Sequence, residues 1–284
     1  MALGRDLYVR RAVFTDQRPI ANLLHVSPQV HRHLDWRNPL DWIGSPPFLV
    51  AECGGRLAAA LACPPDPPTI AWVRLFMNSG DLPVEETWKL LWDAACADLA
   101  GKGRFVMAAI ALQDWYRDTL GASGFTCRQK IVMLERQGGA AIPGAQPEGL
   151  SIRLMMPYDL PAVAEVDASA FAPLWQNSLA AINRAYPQAV LATVAEKEGR
   201  LIGYQISTPN PLGAHLARLA VRPEAQGQRV GYALVADLIR QLAQRRAERL
   251  TVNTQSDNAV SLRLYQQAGF RLTGEAYPVY EFEV

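Results

Sequence analysis

Apolar residues recur along the chain in two rhythms, alternation over short runs and helical spacing over longer ones. Residues 7–12 (LYVRRA) read as a short strand, and 15–24 (TDQRPIANLL) as a helix start with Thr15 or Asp16 as its cap. The stretch 25–47 holds three His, two Trp and several Pro, and reads as irregular, with short helical pieces. On a helix His31 and His33 would lie about 200° apart. Together with His25 they read as structural or surface residues. FLVAECGGRLAAALAC (48–63) is a hairpin signal, two apolar runs around Cys53-Gly54-Gly55-Arg56. A strand IAWVRLFM (70–77), a helix over Pro83–Leu99, a strand at 105–112, a short helix at 114–121 and a closing strand RQKIVMLER (128–136) follow.

Residues 137–149 are rich in Gly, Pro and Ala, without periodicity, and read as a linker. The pattern then starts again. SIRLMMPYDLPAVAEV parallels YVRRAVFTDQRPIANL, matching Arg153 with Arg10 and Asp159 with Asp16. The hairpin TVAEKEGRLIGYQIS parallels LVAECGGRLAAALAC, with Glu196 matching Glu52, and Gly269-Phe270 matches Gly124-Phe125. These offsets run from 143 to 145 residues, which marks an internal duplication. The expected domains are 1–136 and 150–284, joined by the linker. Each unit orders its elements as a mixed sheet with helices on both faces, an α/β or α+β fold.

The copies differ at one corner. In the second, Leu219-Ala220-Val221 ends a strand, Pro223 turns it, and Gln226-Gly227-Gln228-Arg229-Val230-Gly231 leads into an amphipathic helix beginning near Tyr232. A Gly-containing loop at a helix start leaves amides without partners at the positive end of the dipole, which suits a phosphate or diphosphate. An ordinary strand-to-helix turn is the alternative. Neither the P-loop nor the dinucleotide glycine motif is present. The first copy has LFMNSGDLPVEETWKL here, with Asp81, Glu85 and Glu86 placed to repel a diphosphate, so the first unit is expected not to bind what the second binds.

Composition removes several function classes. The chain has 284 residues, 50% hydrophobic and 19% charged, the profile of a soluble globular protein with ample core. A net charge of +1 gives no field for nucleic acid or an anionic membrane. The opening MALGRDLYVRR does not read as a signal peptide, and no apolar run approaches a membrane span, so a cytoplasmic protein is expected. Cys53, Cys63, Cys96 and Cys127 lack metal-site spacing and read as reduced, buried cysteines; no metal is expected.

After the long helix, RLTVNTQSD begins as a strand and turns polar, and NAVSLRLYQQAGF reads as a short helix ended by Gly269. Asn258 and Tyr265 lie seven apart, about two turns, so they share a face. An N-cap Asn and a core Tyr would account for either one singly. Together with the glycine corner they resemble the GNAT superfamily of N-acetyltransferases. The resemblance rests on Gln226-x-x-Arg229-x-Gly231, on Leu219-Ala220-Val221 with Arg222-Pro223, and on Asn258, Tyr265 and Gly269-Phe270. It covers 151–284 well and, through the repeat, 7–136 weakly. The departure is Arg229, where the family has glycine.

The resemblance implies two tandem GNAT-like domains, the first degenerate, each a mixed, mostly antiparallel twisted sheet with helices on both faces. It implies acetyl-CoA as co-substrate and a primary amine, small-molecule or peptide, as acceptor. Leu219, Ala220 and Val221 would pair with the pantetheine arm. Amides from Gln226, Gly227, Gln228, Arg229, Val230, Gly231 and Tyr232 would cradle the diphosphate. Asn253 and Asn258 would complete the cofactor side, and Tyr265 would stand near the thioester sulfur. There Tyr265, with an ordinary pKa near 10, suits a general acid to a thiolate.

The base is left open. Asn253 stands where many peptide-amine acetyltransferases of the family carry Glu, and it cannot take a proton. His215, Asp167 or a water chain are the candidates, and His215 lies an even four residues before Leu219, on one sheet face by parity. Asp167, Phe171 and Trp175 are four apart, on one helical face, and would form an acceptor wall for a cationic amine or simply core. A non-catalytic acyl-CoA-binding module and an enzyme for protein N-termini or lysines remain as alternatives. A monomer or homodimer is expected.

Overall fold

The computed structural model describes residues 7–138, 142 and 147–284. Most of the linker expected over 137–149 lies outside the described residues. The first half carries β1 (Leu7–Arg11), α1 (Gln17–Val26), β2 (Gln29–Arg32), β3 (Phe48–Cys53), β4 (Arg56–Ala62), β5 (Ile70–Trp72), β6 (Leu75–Asn78), α2 (Val84–Leu99), β7 (Val106–Ile110), α3 (Asp114–Ala122) and β8 (Thr126–Gln137). The second carries β9 (Leu150–Leu154), α4 (Leu160–Ala170), α5 (Leu179–Ala185), β10 (Leu191–Lys197), β11 (Arg200–Asn210), β12 (Gly213–Val221), α6 (Val230–Gln244), β13 (Arg249–Gln255), α7 (Ala259–Gln267) and β14 (Arg271–Glu283).

Two compact units form, one of residues up to Arg128 with Tyr277–Val284, the other Gln129–Ala276. These differ from the boundaries read in the sequence, because strands join the partners that satisfy their backbone groups. β8 pairs antiparallel with β13, from Ile131↔Gln255 to Gln137↔Arg249. The end of β14 pairs with β7, from Val279↔Ile110 to Glu283↔Val106. Phe282 then packs on Trp92 and Phe125 inside the first unit, with ring centroids 5.3 and 5.4 Å apart.

In the first unit one sheet runs β1-β3-β4-β6-β2, and β5 pairs in parallel with β7. Trp42, Trp72, Trp88 and Trp92 are buried, so the tryptophans concentrated in this half serve its core. In the second unit the strands run β8-β13-β12-β11-β10-β9, antiparallel except for β12 and β13. The apolar stripe of α6 (Val235, Leu238, Ile239, Leu242) packs on Leu216, Leu250 and Val252. All four cysteines are free, but only Cys63 is buried; Cys127 is exposed.

The duplication is visible in side chains. Arg10 binds Asp16 at 2.6 Å and Glu52 at 2.5 Å; Arg153 binds Asp159 at 2.7 Å and Glu196 at 2.5 Å. In both, the carboxylate also accepts the amide three residues before it, Val13 at 2.8 Å and Met156 at 2.7 Å. Each triad ties the first strand to the start of the first helix and to the hairpin.

Two local expectations change. The stretch 25–47 holds the strand β2, whose pairing to the distant β6 overrides its weak local propensity. The strand expected over 70–77 is two strands, broken at Val73-Arg74.

Candidate functional site

The site begins where two parallel strands part. β12 and β13 pair from Gly213↔Arg249 to Leu216↔Val252 and no further. Both continue on their outer sides, β12 against β11 as far as Val221↔Gly203 and β13 against β8 as far as Gln255↔Ile131. A cleft therefore opens between Ala217–Val221 and Asn253–Gln255. A bulge sets the parting point, since Ile206 pairs with Arg218 while Ser207 pairs with Leu216, leaving Ala217 extra.

The edge of β12 facing the cleft is unpaired backbone. The Arg222 amide donates to Ile202 O on β11 at 2.8 Å. Alternation along a strand then turns the amide groups of Leu219 and Val221 to the open edge. Gln226 Nε2 caps the Val221 carbonyl at 3.0 Å. Gly227 (φ 74°) and Arg229 (φ 62°) turn the loop, and Arg229 is the N-cap of α6. Arg229 thus adopts the left-handed conformation that glycine favours, at a cost of about 1–2 kcal/mol. No described backbone acceptor takes the amides of Gly227 to Gly231. A Cβ on Gly231 would lie 3.0 Å from Leu264 Cδ1 and 3.7 Å from Val221 Cγ2, so α7 closes tightly over the corner.

On α7, Asn258 is the N-cap. Its Oδ1 accepts the Ser261 amide at 3.0 Å, which leaves its NH₂ to donate elsewhere. Tyr265 is 5% exposed, its ring 5.7 Å from Phe270. Burial pushes its phenol above the ordinary value, opposed in part by the charge of Arg218. Those amides, the Asn258 NH₂ and the tight space at position 231 fit an acyl thioester with a diphosphate tail.

The opposite face is polar. Asp167 on α4 is 0% exposed. It binds Arg218 Nε at 2.7 Å and Nη2 at 2.8 Å, and accepts the Asn177 amide at 2.7 Å and the Tyr204 hydroxyl. Arg218 lies over the Phe171 ring at 3.6 Å and donates to Trp175 O at 2.5 Å. Asp167, Phe171 and Trp175 do meet, though not on one helical face. α4 ends at Ala170, Phe171 is extended, and Pro173 opens a separate turn ending at Trp175. Both Asp167 oxygens are committed to these hydrogen bonds.

His215 pairs across to Thr251, its Nδ1 2.9 Å from Thr251 Oγ1 and its Nε2 3.1 Å from Asn253 Oδ1. An amide oxygen only accepts, so Nε2 carries the proton and Nδ1 accepts from Thr251, whose hydroxyl in turn receives Asn210 Nδ2 at 3.4 Å. Burial pulls this imidazole below its ordinary pKa, against the Asn253 bond. The extra residue Ala217 reverses the parity expected for the strand. Leu219 packs with Leu216 on the α6 side, while His215 shares its face with Arg218. Asn253 is exposed at the cleft and bonds His215.

Arg218, Tyr204 and Thr251 are absent from the residues picked out in the sequence. The signal for Arg218 was there: a lone cation within the apolar run AHLARLAV needs a buried partner. Among the described residues no group of His, Cys, Asp or Glu is placed to hold a metal ion, and no helix is long and apolar enough to cross a membrane.

A family model described as "Acetyltransferase (GNAT) family" matches residues 160–270. Over 157 residues the chain is 32% identical to mycothiol acetyltransferase of Sanguibacter keddieii, a match covering 48% of this chain and 50% of that protein. The matched stretch thus spans about half the length of that relative. Over 112 residues the chain is 30% identical to the [ribosomal protein bS18]-alanine N-acetyltransferase of Escherichia coli, covering 39% of this chain and 74% of that one. A solved tandem GNAT protein from the clavulanic acid biosynthesis pathway aligns over 98% of both chains at 16% identity, TM-score 0.66, which shows the shared fold.

Proposed function

Because the chain belongs to the GNAT family of acetyltransferases, we propose that its second unit moves an acetyl group from acetyl-CoA to a primary amine. The observation that carries this is the β12 edge. It is held by β11 on one side, released by β13 on the other, and runs straight into the loop that starts α6. Bound acetyl-CoA would supply an acyl carbon for the amine nitrogen to attack, and a sulfur that leaves and takes up a proton.

The chain's own groups do the rest. The Leu219 and Val221 amides donate to the developing charge on the acyl oxygen, fixed dipoles that need no reorganisation. Amides from Gly227 onward and the start of the α6 dipole hold the diphosphate, with Arg229 adding charge. The Asn258 NH₂ donates to the pantetheine. Tyr265 holds a proton at Oη and gives it to the leaving thiolate; burial raises its pKa, which makes it a weaker acid than an exposed tyrosine, while the charge of Arg218 works the other way.

His215 and Asp167 have their acceptor sites engaged, so neither serves as base. The amine arrives uncharged; as its C–N bond forms and the C–S bond breaks, its nitrogen releases one proton to solvent, and the rate follows its free-base fraction. The first unit is a scaffold. The acceptor is a small-molecule or peptide amine; the two relatives named above act on mycothiol and on an alanine of a ribosomal protein by their names. Thiol release from acetyl-CoA over a panel of primary amines tests the reading. Turnover with at least one amine is expected. Binding without turnover of any amine would make the site a binding module.

A further inference from the structure

The first unit repeats the parting strands of the second, but there the open edge is taken. β5 and β6 stand where β12 stands. β5 pairs in parallel with β7 from Ile70↔Val106 to Trp72↔Ala108, as the lower half of β12 pairs with β13. β6 pairs antiparallel with β4 from Leu75↔Ala62 to Asn78↔Ala59, as the upper half of β12 pairs with β11. The halves meet at Val73-Arg74, the counterpart of the bulged Ala217. Beyond that point the second edge of β6 carries β2, antiparallel, from Arg32↔Leu75 to Gln29↔Asn78.

We propose that β2 is the built-in occupant of the first unit's acyl-CoA slot, a protein strand lying where the second unit leaves an edge for pantetheine. The chain therefore binds one acyl-CoA, in the second unit. This rests on the function proposed above.

The strand is locked in by more than backbone pairing. The His33 amide donates to Arg74 O at 3.0 Å, continuing the ladder past the break. His31 is 3% exposed, with Nε2 3.0 Å from Val73 O and its ring stacked on Tyr116 at 4.1 Å. Asn78 Nδ2 donates to Gln29 Oε1 at 3.0 Å. An occupant tethered to its own site competes at a high effective concentration, which a free ligand does not match.

The remaining parts of the slot are altered in the same sense. α2 starts after Pro83 with Glu85 and Glu86 in its first turn, where a diphosphate would need to sit. At the offset that relates Gly124-Phe125 to Gly269-Phe270, Gln113 stands for Asn258 and Leu120 for Tyr265. Leu120 has no proton to give, and Gln113 accepts from Trp115 Nε1 at 2.5 Å.

Calorimetric titration of the full chain with acetyl-CoA is the test, read as stoichiometry. One site is expected. It should vanish in Gly231→Asp, which puts a carboxylate into the corner, with the circular dichroism of the fold unchanged. Two sites in the native chain, one of them surviving in G231D, overturn the inference while leaving the proposed function standing; a single native site that survives in G231D overturns both. No binding to the native chain overturns both. Amide exchange gives a readout that needs no variant. Acetyl-CoA should leave residues 29–32 and 75–78 unchanged; faster exchange at 29–32 on addition would mean that the ligand displaces β2, against the inference.

Discussion

Arg218 and Asp167 face one another through two hydrogen bonds, Nε to Oδ2 at 2.7 Å and Nη2 to Oδ1 at 2.8 Å, with the carboxylate out of solvent. The pair joins α4 to β12 one residue beyond the bulge that opens the cleft. Removing one partner leaves the other charge buried and alone. Asp167→Asn should therefore cost roughly 3–5 kcal/mol, whereas a matched apolar pair, Asp167→Leu with Arg218→Met, should recover much of it. Chemical denaturation of the three proteins checks this; an Asp167→Asn chain as stable as the native one would show the pair to be idle.

Tyr265 should separate chemistry from binding. Tyr265→Phe keeps the ring against Phe270 and removes only the proton. It should lower kcat by about 10²–10⁴-fold and leave the KM for acetyl-CoA within about twofold. Steady-state kinetics in both substrates decide it, and an unchanged kcat would take Tyr265 out of the mechanism.

Arg229 holds a conformation that glycine holds more cheaply. Arg229→Gly relieves about 1–2 kcal/mol of left-handed strain and loses roughly 0.5–1 kcal/mol to chain entropy, so it should stabilise the fold by up to about 1.5 kcal/mol. The same change removes a cation from the corner proposed to hold the diphosphate. Melting temperature should rise while acetyl-CoA affinity falls; a drop in melting temperature would mean that the side chain contributes more than the strain costs.

His31 makes stability depend on pH. Burial depresses its pKa to about 4, so the folded chain keeps it neutral while the unfolded chain protonates it near 6.5. Its contribution is fully present above pH 6.5 and is lost as pH falls towards 4, roughly 3 kcal/mol in all. Urea unfolding at several pH values, native against His31→Gln, should show a shallower acid decline in the variant. Parallel declines would mean that His31 titrates normally.

Much of this architecture was legible in the sequence because the duplication repeats local, self-contained devices. The Arg–Asp–Glu triads lie at a near-constant offset, and each closes within one strand-helix-hairpin segment. The glycine corner and the Asn258–Tyr265 pair, which the first copy lacks, were legible because each is contained in one loop or one short helix. What escaped was decided by distant partners. β2 is a strand because β6 offers it an edge, and nothing within QVHR announces that. One extra residue, Ala217, undoes the parity that would set His215 beside Leu219, and a bulge leaves no mark in an apolar run. The helix carrying Asp167 stops at Ala170, so Phe171 and Trp175 reach Arg218 by a loop; there Pro173 was a signal in plain view.

The central claim is that the open edge of β12 and the loop beyond it receive acetyl-CoA. Amide hydrogen exchange with and without acetyl-CoA tests it residue by residue. Protection should appear at Leu219 and Val221 and across Gly227 to Gly231. Unchanged exchange at these amides under saturating acetyl-CoA would contradict the account.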